Sequence, residues 1–217
     1  MNGLEAVDNY CERLGPSFWA EPLNALSNVS FIVAGLLLLT QWRRGRGSPS
    51  GLFLVLNVLV IGIGSFLFHT FANRWSELAD VLPITVFIHV YFLLALNRFL
   101  GLKWWLAAAA TLALFAASPL IGRALTPLFG SSAFYLPALI AIFSVALAAR
   151  RQNPVVSASL FAAGCVFALS LAFRAADLPL CDLHPQGTHA RWHLLNGVLL
   201  YLLVALYLRI TARPVAR

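Results

Sequence analysis

The chain has 217 residues, of which 60% are hydrophobic and only 11% are charged, and its mean hydropathy is +0.82. Soluble domains are about 45–50% apolar and about 25% charged, so this composition excludes an ordinary soluble domain. Too few residues remain outside the apolar runs to build a separate soluble domain. We therefore predict an all-α membrane protein with a single domain over residues 1–217.

Apolar runs long enough to cross a ~30 Å hydrocarbon core recur along the whole chain. We expect seven spans: Leu23–Trp42, Leu52–Ala72, Leu78–Leu100, Trp104–Ile121, Ala133–Ala149, Val155–Phe173 and Ala190–Leu208. Short segments with Gly, Pro and Ser breakers, "RRGRGSPSG", "GRALTPLFGSS" and "RRQNP", are predicted to connect spans. The sequence thus predicts a seven-transmembrane helix bundle. The first twenty residues show no basic segment followed by an apolar core, so no cleavable signal peptide is expected.

The basic residues indicate how the bundle is oriented, because seven spans place the termini on opposite sides. Of the 15 basic residues, ten fall on the side of the C-terminus: Arg43, Arg44, Arg46, Arg98, Lys103, Arg150, Arg151, Arg209, Arg213 and Arg217. Five fall on the side of the N-terminus: Arg13, Arg74, Arg123, Arg174 and Arg191. The positive-inside rule predicts a cytoplasmic C-terminus and an extracytoplasmic segment over residues 1–22. Topology therefore accounts for the net charge of +7, and no nucleic-acid partner is expected.

The acidic residues are distributed even more unevenly. All eight lie on the N-terminal side: Glu5, Asp8, Glu12, Glu21, Glu77, Asp80, Asp177 and Asp182. Acidic residues contribute little to membrane orientation, so topology does not require this arrangement. A face that binds cations or carries out catalysis would account for this arrangement.

Three histidines are expected to converge on that same face. His69 lies near the outer end of the second span, while His189 and His193 open the last span one helical turn apart. Asp80 begins the third span at a similar depth. Two imidazoles at this spacing plus a third from another helix leave one position open for water, which is the usual form of a catalytic zinc site. Ionisable groups at membrane depth are costly and usually functional.

Each histidine also has a plainer interpretation. A histidine pair at this spacing is a weak signal alone, and a single histidine in a membrane helix is often a packed hydrogen-bonding residue. His89 lies nine residues after Asp80, which places it on the opposite helix face and well over a turn deeper, so we predict a structural role. His184 stands in the loop next to Pro185 and is predicted to be a surface residue.

The spacing of these residues matches a known family. The stretches "GSFLFH", "ADVLP" and "HARWHLLNG" resemble the alkaline ceramidases, which are seven-helix zinc amidases in a superfamily with the adiponectin and progestin receptors. The residues that match the family pattern are Ser65, His69, Asp80, His189 and His193. The opening stretches "DNYCER" and "FWAEPLNALSN" are also similar to the start of the family sequences.

The resemblance implies a mechanism. Zinc held by His69, His189 and His193 would activate a water and polarise the amide carbonyl. Asp80 would act as general base and return the proton to the leaving amine. Ser65 would orient a ligand or stabilise the developing oxyanion. The alternative for Ser65 is a hydroxyl bonded to its own helix backbone.

The resemblance also implies a calcium site and a disulfide. Oxygen ligands from Asp8, Asn9, Glu12 and Glu21 suit a hard cation, and alkaline ceramidases bind calcium in this segment. The stretch between Cys11 and Glu21 is shorter than in the animal enzymes, and a solvated acidic terminus is the alternative. Cys11 and Cys181 both lie on the oxidising face, and the resemblance supports pairing them.

Together these features predict zinc-dependent hydrolysis of the amide bond of ceramide or a related N-acyl lipid, which would release a fatty acid and a sphingoid base or amine. One rival is a zinc-containing receptor or sensor, which would be expected to carry an added regulatory domain. Another is a hydrolase that acts on a different lipid, for instance an ester.

Compact loops and arginine in place of lysine suggest a bacterial inner-membrane protein with an extracytoplasmic active site. A membrane lipid is the expected partner, with no obligatory protein partner.

Overall fold

The computed structural model describes residues 3–45 and 47–212. Within them lie eight α-helices, with bounds α1 Pro22–Ser27, α2 Val29–Arg44, α3 Pro49–Phe71, α4 Arg74–Leu100, α5 Trp104–Phe129, α6 Leu136–Ala149, α7 Pro154–Ala176 and α8 His189–Thr211. Two 3-10 segments, Gly130–Tyr135 and Leu178–Leu180, join helices. Three arginines used to predict the orientation, Arg46, Arg213 and Arg217, lie outside the described residues.

Six helical segments within the described part of the chain are long and apolar enough to cross a membrane. Five correspond to α1 with α2, α3, α4, α7 and α8, and the sixth is the continuous 46-residue stretch Trp104–Ala149. Seven spans were predicted; the fourth and fifth fall within this one stretch, which contains α5, a 3-10 segment and α6. Large apolar side chains such as Leu112 and Leu147 are exposed on the outside of the bundle, as expected of a surface that faces lipid.

The predicted connection "GRALTPLFGSS" is wrong in its first part. Helix α5 continues through this stretch to Phe129, and Gly130 ends it with φ of 55°, a left-handed value that favours glycine. Pro127 lies inside the helix, which membrane helices tolerate when neighbouring groups satisfy the freed carbonyls. The Gly and Pro residues led to the predicted connection, but the Ala and Leu residues around them favour helix.

Residues 3–21 cross one end of the bundle without forming a helix. The Val7 amide donates to the Ala72 carbonyl at 2.8 Å, and the Arg74 amide donates to Glu5 at 3.1 Å. The disulfide between Cys11 and Cys181 is present and confirms the predicted pairing. The N-terminal segment, the α3–α4 connection and the α7–α8 connection therefore meet at the same end.

Helices α3 and α4 approach closely near this end. A Cβ atom on Gly64 would collide with the backbone carbonyl of Ala79, so only glycine permits the observed separation. Gly64 precedes Ser65, and Ala79 precedes Asp80. The close approach therefore brings both predicted site residues next to one another.

Candidate active site

The imidazoles of His69, His189 and His193 converge in the bundle interior. One ligand atom from each lies within 4.8 Å of the others, and all three residues are buried. His69 Nε2 and His189 Nδ1 are buried without any hydrogen-bond partner among the described residues. Unpartnered buried nitrogens are rare in folded proteins, and three converging imidazoles are a common zinc ligand set. The donor set therefore fits a metal ion such as zinc.

Two of the histidines are oriented through their other ring nitrogen. Nδ1 of His69 lies 2.6 Å from Glu21 Oε2, and Nδ1 of His193 lies 2.7 Å from Ser27 Oγ. Such partners fix the tautomer and the ring plane of a metal-binding histidine. Burial raises the pKa of the Glu21 carboxyl, but the hydrogen bond and charge of His69, together with the hydrogen bonds from Asn24 and Arg13, outweigh this effect and lower the pKa below its usual value.

A second carboxylate, that of Asp177, holds the start of α8. Asp177 accepts hydrogen bonds from the amides of Thr188 at 2.6 Å and His189 at 2.9 Å, and from the Cys11 amide at 3.0 Å. Gly187 has φ of 66° and lies so close to Asp177 that a Cβ atom would collide with the carboxylate. Asp177 therefore ties the N-terminal segment and α8 to the end of α7.

Asp80 and Ser65 both lie beside the histidines. Asp80 is buried, and its Oδ1 has no hydrogen-bond partner among the described residues. Ser65 Oγ lies 3.4 Å from His193 Nε2 and also interacts with the Asp80 carboxylate. An unpartnered carboxylate oxygen next to three converging imidazoles is available to accept a proton.

A cavity leads from these groups into the apolar interior of the bundle. At one end it is lined by Ser65, Asp80, His189 and His193, and farther in by side chains of α4, α6, α7 and α8 that include Phe87, Tyr91, Val145, Leu160 and Leu203. Leu203 lies about 15 Å farther along α8 than His193, at 1.5 Å per residue.

A second cavity between α4 and α5 shares Asp80 with the first and is lined by apolar groups such as Val81 and Phe115.

A sequence profile of the Ceramidase family matches residues 5–214, nearly the whole chain. The chain belongs to the ceramidase family. No match is found among curated proteins. The matched range contains the three histidines, Asp80 and Ser65, so family membership and the geometry of the site concern the same residues.

The oxygen donors predicted for calcium are exposed or have other partners in this member of the ceramidase family. Asp8 and Asn9 are exposed, and the Asn9 amide donates to Glu77 at 3.4 Å. Both carboxylate oxygens of Glu12 accept main-chain amides at the start of α1, from Leu23 at 2.7 Å and from Asn24 at 2.8 Å. Burial raises the pKa of the Glu12 carboxyl. Glu21 bonds His69 instead, as described above. Calcium binding stays a prediction.

The two remaining histidines, His89 and His184, lie away from the three converging histidines. His89 donates from Nδ1 to the Thr85 carbonyl at 2.7 Å and packs edge-on against Phe115 in the second cavity. His184 is exposed in the α7–α8 connection, as the sequence predicted. Neither contributes to the group of converging imidazoles found among the described residues.

Several residues of the ceramidase-family site were missed in the sequence. The Tyr10 ring stacks on His189 with 3.8 Å between centroids, and burial raises the pKa of its hydroxyl. The Arg174 guanidinium lies over the rings of Tyr135 and Trp192, at 5.3 Å and 5.5 Å from their centroids. No local pattern in the sequence marks these residues.

Proposed function

We propose that the protein hydrolyses the amide bond of ceramide or a related N-acyl lipid and that this activity depends on zinc. The observation that carries the proposal is the position of Asp80, whose free carboxylate oxygen lies beside three converging histidines on the wall of an apolar cavity. Membership of the ceramidase family supports the reaction class. The products would be a fatty acid and a sphingoid base or amine.

His69, His189 and His193 would hold the metal. When bound, zinc supplies a Lewis acid for the amide carbonyl and lowers the pKa of a water ligand towards ~7. Glu21 and Ser27 keep the imidazoles in place through their Nδ1 atoms. The protein thus prepares the ligands before substrate arrives.

Asp80 and Ser65 would handle the proton and the developing charge. Asp80 Oδ1 accepts the proton of the attacking water and returns it to the nitrogen of the leaving amine. The Ser65 hydroxyl, between Asp80 and His193, can donate to the oxygen that becomes negative as the tetrahedral intermediate forms.

The two cavities suit a lipid with two hydrocarbon chains. The acyl chain would extend into the first cavity towards Leu203, and the second chain would lie between α4 and α5. Both would start from Asp80, which borders the two cavities. Burial of each CH₂ group contributes about 0.8 kcal/mol, so chain length would govern affinity.

We also propose that the Trp104–Ala149 stretch crosses the membrane twice, which restores seven spans. Helix α5 has 26 residues, about 39 Å at 1.5 Å per residue, and already exceeds the hydrocarbon core. The N-terminal segment and the site would then lie on the extracytoplasmic side of a bacterial inner membrane, with the C-terminus in the cytoplasm.

The test is fatty-acid release by the purified protein from ceramides, other N-acyl lipids and matched ester lipids. We expect release from an amide lipid that a zinc chelator abolishes and added zinc restores. Cleavage of esters alone would assign the protein to the ester-hydrolase alternative. Zinc binding without release from any lipid would contradict hydrolysis and favour the receptor or sensor alternative.

A further inference from the structure

The guanidinium of Arg13 is buried inside the N-terminal segment, and each of its nitrogens has an oxygen partner. Nε lies 2.5 Å from Glu21 Oε1, Nη1 donates to the Gly15 carbonyl at 3.0 Å, and Nη2 donates to the His69 carbonyl at 3.1 Å. The Arg13 and Glu21 side chains are only 5% and 3% exposed. A single cation is therefore surrounded by one carboxylate and two carbonyl oxygens.

Carboxylate and carbonyl oxygens are also the ligands that calcium takes, six to eight of them at about 2.3–2.6 Å. The resemblance to alkaline ceramidases assigns calcium to this segment, but the donors are committed elsewhere. Glu12 uses both oxygens on the amides that open α1, and Glu21 uses its oxygens on Arg13, Asn24 and His69. A divalent ion beside the Arg13 guanidinium would also be repelled. The residues present do not fit calcium.

We infer that the Arg13 guanidinium serves as the cation of this segment in place of calcium, and that it positions the His69 imidazole through the Glu21 carboxylate. The inference rests on the proposed role of His69 as a metal ligand. The chain of contacts is continuous: Arg13 holds one oxygen of Glu21, and the other oxygen holds Nδ1 of His69. Fixing Nδ1 leaves the unpartnered Nε2 of His69 free for the metal.

Arg13 also acts on the backbone of the same histidine. Its bond to the His69 carbonyl fastens the N-terminal segment to the last turn of α3, where carbonyls lack helical partners. Only a planar group with several donors can serve a carboxylate and two carbonyls in different directions, and this is the property in which arginine differs from lysine. Because the cation is covalently attached, its occupancy does not depend on the calcium concentration.

The first test uses the unmodified protein and does not depend on activity. Protein purified in buffer with calcium is desalted, and its calcium and zinc contents and its thermal unfolding midpoint are measured with added calcium and with a calcium-selective chelator. We expect no stoichiometric calcium and the same midpoint in both buffers. Stoichiometric calcium with a higher midpoint would overturn the inference, whether or not any lipid is cleaved.

The second test addresses positioning with Arg13→Gln, Arg13→Lys and the exposed control Arg123→Gln. Loss of a group that orients a metal ligand typically weakens binding by roughly 10- to 100-fold, so we expect Arg13→Gln to lower zinc affinity by that factor. Added guanidinium ion should restore part of the affinity of Arg13→Gln, Arg13→Lys should restore little, and Arg123→Gln should match the unmodified protein. Unchanged zinc affinity in Arg13→Gln would overturn the positioning role. If Arg13→Gln does not fold, the first test still decides the calcium question.

Discussion

The carboxylate of Asp177 accepts the main-chain amide of His189 at 2.9 Å, and a second amide from Thr188 reaches the same oxygen at 2.6 Å. The first residue of α8 is thus held by a side chain from the end of α7. We predict that Asp177→Ala lowers the free energy of unfolding by about 1.5–3 kcal/mol, the range for hydrogen bonds to a charged group, and also weakens zinc binding. Thermal unfolding in detergent and zinc competition measure both. Asp182→Ala, an exposed acid in the same connection, is the control and should change neither; equal effects would contradict the prediction.

Gly64 sets the separation of α3 and α4. We predict that Gly64→Ala destabilises the protein by about 1–3 kcal/mol, as expected when an atom is forced into a packed contact, and reduces activity because Asp80 moves away from the histidines. Gly15→Ala adds the same methyl group where no atom lies within 4 Å, so its unfolding midpoint should not change. The prediction is wrong if both variants behave alike.

Asp80 is predicted to move the proton without holding the metal. Asp80→Asn keeps the size of the side chain but cannot accept that proton, so amide hydrolysis should fall by about 10²- to 10⁴-fold. Zinc content, measured by elemental analysis, should stay at the level of the unmodified protein. Glu77→Gln, one turn earlier on α4 and partly exposed, is the matched control and should retain activity. Loss of zinc in Asp80→Asn would indicate ligation instead.

The three buried histidines are predicted to hold one zinc ion together. Replacing any of His69, His189 or His193 by alanine should reduce zinc from about one per chain to a small fraction, because a tetrahedral site needs at least three protein ligands. His89→Ala removes an imidazole from the same membrane region and should leave the zinc content unchanged. Retention of zinc in all three variants would contradict the assignment of the metal ligands.

The disulfide between Cys11 and Cys181 closes a loop of 170 residues and fastens the N-terminal segment over the site. Its loss in Cys11→Ser should lower stability by about 2–4 kcal/mol and lower the unfolding midpoint. The free Cys165 is exposed on α7, so Cys165→Ser is the matched control. A midpoint in Cys11→Ser equal to that of the control would show that the covalent link is dispensable for stability.

The amino-acid sequence was sufficient to predict a helical membrane protein and to indicate the polar residues that converge in the candidate site. Apolar runs of membrane length recur because a helix that faces lipid must be apolar along its whole length. The His189 and His193 pair can be recognised in the sequence because α-helical geometry places residues four apart on one face. Asp80 and His69 follow from the expectation that ionisable residues at membrane depth serve function, and from the ceramidase-like spacing.

The groups that support those residues are visible only in the folded structure. Glu21 was predicted as a calcium ligand, yet its carboxylate bonds His69, 48 positions away, and Arg13. Ser27 bonds His193 across 166 positions. Such contacts join an irregular segment and helices distant in sequence, and no periodicity encodes them. Local patterns specify helices and the faces they present, whereas the partners of a buried polar group depend on which distant segments the packing brings within hydrogen-bonding distance.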